Sequence, residues 1–119
     1  MRVRIAILFV LLAAAAAAAR VTPGPAVTDE NVAERVRDLR TPAEQLALAN
    51  YYTAKAKGLG ERIDFYESLF RAYEALEGRE YEPLRRQARH LLRAARETRE
   101  HLELLATAHR NRALVADEQ

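Results

Sequence analysis

Three histidines, a dense arginine row and five tyrosines are the side chains in this 119-residue sequence with chemistry to offer. His90 and His101 share nearly one helical face but lie about 16 Å apart at about 1.5 Å per residue, so they cannot hold one metal ion within a chain. Neither a His-x-x-x-His nor a Glu-x-x-His pair occurs. His90 and His109 therefore remain as metal-ligand candidates only with Tyr or Glu neighbours drawn from two chains. A hydrogen-bonded histidine in a helix seam is the commoner account, and His109 is expected to lie near Tyr51 and Tyr52.

Arginine is concentrated between Arg85 and Arg99, where Arg85, Arg86, Arg89, Arg93, Arg96 and Arg99 face only Glu97 in their own run. Five of the six fall within an arc of about 120° on a helix. Arg89, Arg93 and Arg96 make the candidate interaction surface for an anionic partner: phospholipid headgroups, a polyanion or an acidic protein. The plainer account pairs them with Glu61, Asp64, Glu67, Glu74 and Glu77 of an opposing helix, at about 0–1 kcal/mol per surface pair. Tyr51, Tyr52, Tyr66, Phe70 and Tyr73 recur at helical spacings, as a core stripe does. Catalysis has no specific signal: Ser68 is the only serine, no glycine-rich phosphate loop exists, and the carboxylates are dispersed. The sequence predicts no enzyme and no cofactor.

These residues must be positioned by helices. Thr28 or Asp29 can cap a short helix carrying Val32, Val36 and Leu39. Thr41-Pro42-Ala43-Glu44 combines a good N-cap, proline at the first helical position and a glutamate able to complete a capping box. The apolar phase Leu48, Tyr52, Leu59, Ile63, Tyr66, Phe70, Tyr73 passes Gly58 and Gly60 without slipping. It predicts one helix from Pro42 to about Glu77, the glycines allowing a bend or a close approach. Gly78 suits a C-cap, and Pro83 opens a last helix. Its seam runs Leu84, Ala88, Leu91, Ala95, Thr98, Leu102, Leu105, His109 in alternating steps of four and three, a heptad pattern. Leu84, Leu91, Leu102 and Leu105 are its anchors, in a seam between helices or between chains.

The expected fold is all-α: a short helix, then a long antiparallel helical hairpin roughly 50 Å long, dimerised into a four-helix bundle. The first residues read as an address. Arg2 and Arg4, the apolar Ile5–Leu12 and the alanine run Ala13–Ala19 follow the order of a secretory signal peptide, residues 1–19, with a mature start near Arg20. Left uncleaved, this segment would be the only membrane attachment. Residues 20–27 read as an extended linker, 28–115 as one helical domain and 116–119 as a frayed tail. Removing Arg2 and Arg4 takes two of the 19 Lys+Arg, leaving 17 against 17 Asp+Glu. A neutral, exported chain argues against nucleic acid. The absence of cysteine excludes lipoprotein attachment, disulfides and thiolate metal sites.

With its helices placed, the chain resembles a group of small exported bacterial helical proteins. In that group a Thr-Pro-Glu-Glu-His-type helix start precedes Tyr-Tyr, a histidine segment ending in Ala-x-Tyr, a His-Cys pair and a terminal His-Arg. The matching residues are Thr41-Pro42-Ala43-Glu44, Tyr51-Tyr52, Arg71-Ala72-Tyr73, His90 and His109-Arg110, across roughly 41–114. Gln45 stands where the group has its first histidine, Tyr66 where it has its second and Leu91 where it has its cysteine. The resemblance implies an exported helical fold and weakens any metal site here. The expected function is a non-enzymatic periplasmic or secreted interaction or envelope-stress module, homodimeric, with a protein or an anionic envelope component as partner. The alternative is a metal- or small-ligand-binding carrier.

Overall fold

The computed structural model describes residues 22–118, with side chains described through residue 115; the expected signal peptide lies outside them. Among the described residues there are four α-helices, α1 (Val32–Arg37), α2 (Pro42–Gly58), α3 (Gly60–Glu74) and α4 (Glu82–Glu118), with a 3₁₀ turn at Arg79–Tyr81 before α4. No strand occurs among the described residues. No helix among them is long and apolar enough to cross a membrane. The chain divides into two compact units, one from residues up to Leu48 together with His109 onward, the other from Ala49–Ala108.

In the first unit, the capping box forms as the sequence requires. The Glu44 amide donates to Thr41 Oγ1 at 3.2 Å, and Glu44 Oε2 accepts from the Thr41 and Arg40 amides at 3.2 and 2.5 Å. Those amide donors hold the Glu44 carboxyl below the usual carboxylate range. Helix α1 starts at Val32, later than a Thr28 or Asp29 cap implies. The Asn31 Oδ1 accepts from the Thr28 amide at 2.8 Å, closing a turn first. The segment before it has no regular structure, bends at Pro25 and is tethered: the Gly24 amide donates to the Ala43 carbonyl at 3.1 Å, and Arg35 Nη2 to the Pro25 carbonyl at 3.0 Å. Among the described residues of this unit, Ala47, Leu48 and Ala113 are buried.

The helix expected from Pro42 to Glu77 is two helices. Leu59 separates them, its amide bonding three residues back to the Ala56 carbonyl at 3.2 Å, while Ile63 bonds back to Leu59 at 2.9 Å. This is a single tightened turn, so the chain bends while its apolar phase continues. Two glycines around one leucine remove enough helix propensity, about 1 kcal/mol each against alanine, to let the ladder shift there. Close approach is not their purpose, since a Cβ at either glycine meets nothing within 4 Å. Helix α3 then ends at Glu74 rather than near Glu77, and Gly78 takes φ 118° in the connection.

Helices α3 and α4 are antiparallel, pinned by Arg96–Glu67 at 2.6 Å and Arg89–Glu74 at 3.3 Å. Ile63, Leu92 and Ala95 form the core cluster, with Leu59, Tyr66 and Phe70 packed on it. The buried row of α4 differs from the expected seam. Ala88, Leu92, Ala95 and Ala106 are buried and Leu102 half-buried, while Leu84, Leu91, Thr98 and Leu105 are exposed. The helix is rotated so that Leu92 and Ala106, rather than Leu91 and Leu105, flank the Ala88–Ala95–Leu102 row. Small side chains turn inward because they let two helix backbones approach closely; the larger leucines stay outside.

Candidate functional site

The arginine row divides into anchored and open members. Arg85 belongs to the fold: its guanidinium donates to the Leu76 carbonyl at 2.7 Å, the Gly78 carbonyl at 2.9 Å and Glu82 Oε2 at 3.1 Å. It thereby satisfies the carbonyls left over where α3 ends, a need the sequence shows only as an arginine in the first turn of the next helix. Arg89 and Arg96 are held by Glu74 and Glu67, two of the five acids expected to face them. The Arg96 hydrogen bond keeps the Glu67 carboxyl below its ordinary range.

Arg86 and Arg93 have no carboxylate partner among the described residues. Together with Arg89 and His90 they line a shallow depression of about 90 Å³. Arg93 also borders an adjacent depression of about 270 Å³ with Arg89, Arg96, Phe70, Leu92, Glu97 and Glu100. The anchored arginines hold their neighbours on one face, and the cationic setting of His90 repels a metal cation and attracts an anion. Arg89, Arg93 and Arg96, the surface expected from sequence, are therefore brought together, with Arg86 and His90 added.

His109 lies in the other unit. Its Nδ1 is 2.7 Å from Gln45 Oε1, so that nitrogen carries the proton as donor to the amide oxygen. Partial burial first, and Arg112 second, push the His109 pKa below its ordinary value. A separation of 64 positions makes the His109–Gln45 pairing invisible to helical periodicity. Among the described residues, no three His, Asp or Glu side chains come together as a metal-holding group. The tyrosines follow the core account where their packing is described: Tyr66 and Phe70 pack on Ile63, Leu92 and Ala95, and Tyr51 meets Tyr52 edge-on at 5.2 Å. Ser68 is exposed on α3.

The expected seam leucines separate. Leu102 is half-buried on the packed side of α4, whereas Leu84, Leu91 and Leu105 are exposed. Comparison with known proteins finds no matching family, no matching curated protein and no matching solved structure.

Proposed function

We propose that this chain is an exported, non-enzymatic helical protein that acts as an interaction module of the cell envelope, self-associated as a homodimeric four-helix bundle. Its binding face is the arginine row of α4, and its partner is an anionic, phosphate-bearing envelope surface. The observation that carries this reading is the division of the row. Arg89 and Arg96 are tied to α3, while Arg86 and Arg93 stand without carboxylates around a shallow cationic depression beside His90. A flat row of this kind meets headgroups better than it encloses a small ligand.

The test is co-sedimentation of the mature protein with vesicles of phosphatidylglycerol or of phosphatidylcholine. Binding is expected to the anionic vesicles alone and to weaken with salt. Each basic side chain near such a surface contributes about 1 kcal/mol, so Arg86→Ala with Arg93→Ala should lower affinity by about 30-fold. Equal binding to both vesicle types, or an unchanged double variant, would overturn the reading. The intact mass of the exported protein should correspond to a chain starting near Arg20.

A further inference from the structure

The first turns of α4 carry a cluster of charge that repels itself. Arg86, Arg89, His90 and Arg93 lie within an arc of about 100° and about 10 Å of helix length. Arg86 with Arg89, and Arg89 with Arg93, are like-charge neighbours at the spacings that destabilise a helix. The acids within reach do little to relieve them. Glu82, four positions before Arg86, is bound to Arg85 Nε at 3.1 Å, and Glu74 holds Arg89 by Nη2 at 3.3 Å. Glu97, four positions after Arg93, makes no ion pair among the described residues. An anion from outside the fold would offset the repulsion.

The shape of the cluster sets the size of that anion. Its four side chains line one depression of about 90 Å³. That is about three waters at roughly 30 Å³ each, far below the roughly 300–1,000 Å³ of a small-molecule pocket. It has room for one tetrahedral anion. Its extent along the helix is limited too. Glu97 and Glu100 follow Arg93 on the same side of α4 and border the neighbouring depression with it. A long polyanion lying on α4 would therefore meet carboxylates within about three turns of Arg86.

We infer that this depression seats the phosphomonoester of a lipid headgroup. The inference rests on the anionic, phosphate-bearing partner proposed above and names the ester that the site selects. A phosphomonoester carries about −1.5 to −2 charge at neutral pH and three acceptor oxygens, whereas a diester carries a single charge. Arg86 and Arg93, two guanidinium groups without carboxylates, match the second charge. Arg89 and His90 add donors, the imidazole offering an N–H in either protonation state. The depression is shallow, so a free phosphate ester would keep most of its surface in water. A membrane instead presents many such groups at once to one basic face.

Vesicles of phosphatidylcholine carrying either phosphatidic acid, a monoester, or phosphatidylglycerol, a diester, separate ester type from charge when both are set to equal surface potential. At about pH 7.5, where the monoester is close to doubly ionised, the exported protein should bind the phosphatidic acid vesicles about fivefold more tightly. Arg86→Gln and Arg93→Gln should each erase that preference at unchanged helix content, since both side chains are exposed and glutamine suits a helix. Arg79→Gln removes the same charge in the turn before α4, outside the depression, and should keep the preference. Soluble glycerol phosphate at an equal concentration of phosphate groups should fail to displace the protein. Equal affinity for the two anionic vesicles would overturn the phosphomonoester site and leave the arginine face proposed above, whereas binding to neither would overturn both. A preference that survives Arg86→Gln and Arg93→Gln would overturn this depression as its seat, and displacement by glycerol phosphate would overturn the lipid as its source.

Discussion

His109 carries the clearest acid-side consequence of any single residue. Its pKa is held below 6.5 in the folded chain, by burial and then by Arg112. The unfolded chain therefore takes up the proton first as pH falls. Stability should be fully present above about 6.5 and decline as pH drops below it, because protons favour the state that binds them more. Glu44 and Glu67 titrate lower: their folded pKa values lie under 4.5, so their contribution is lost only beneath the ordinary carboxylate range. As pH falls from 6.5 towards 4.5, His109 is therefore expected to lower stability. Urea midpoints measured across that interval should fall for the parent protein and flatten for His109→Gln. A variant with the same slope would show that the proton goes elsewhere.

Helix starts were the most legible elements, because a local hydrogen-bonding need has a local residue signature. Thr41, Pro42 and Glu44 announce α2, and the capping bonds form between those residues. The bend and the face of α4 were not legible, for different reasons. Across Leu59 the hydrophobic phase continues, so periodicity reports a single helix even though the backbone tightens to a three-residue bond. On α4 the Ala88–Ala95–Leu102 row has apolar neighbours on both flanks, Leu91 and Leu105 on one, Leu92 and Ala106 on the other. Periodicity permits either flank to pack; how closely the α3 and α4 backbones approach decides it. Of the candidate site, the arginines were legible as a run, but which of them are open depends on Glu67, Glu74 and the carbonyls of Leu76 and Gly78. The glycines give an element-scale test. Gly58 and Gly60 have open space where a Cβ would stand and no positive φ, so alanine at either should stabilise by about 0.5–1 kcal/mol. Gly78 has φ 118°, and alanine there should cost about 1–3 kcal/mol. Chemical denaturation of the three single variants checks both signs, and destabilisation by Gly58→Ala would mean that the bend needs its glycine.

Across the whole molecule, apolar size is distributed in an unusual way. Among the described residues, seven of the ten in the buried core are alanines and Leu48 is the only large side chain fully buried, while Phe65, Leu84, Leu91, Leu104 and Leu105 are exposed. Hydrophobic stabilisation scales with the apolar area removed from water, at about 25 cal/mol per Å², and an alanine supplies little. The chain has no cysteine to supplement it with disulfides, and in the homodimer proposed above burial of the exposed Leu84, Leu91 and Leu105 by another copy would be part of folding. Melting temperature should accordingly rise with protein concentration, as it does for any fold coupled to association. Leu91→Asp should remove that dependence while retaining a cooperative transition at the lower, monomer temperature. Leu102→Asp places a charge on the packed side of α4 and should cost at least about 2 kcal/mol at every concentration. A melting temperature independent of concentration in the parent protein would mean that the alanine core suffices alone. In that case the exposed leucines would have to be explained by a partner other than a second copy.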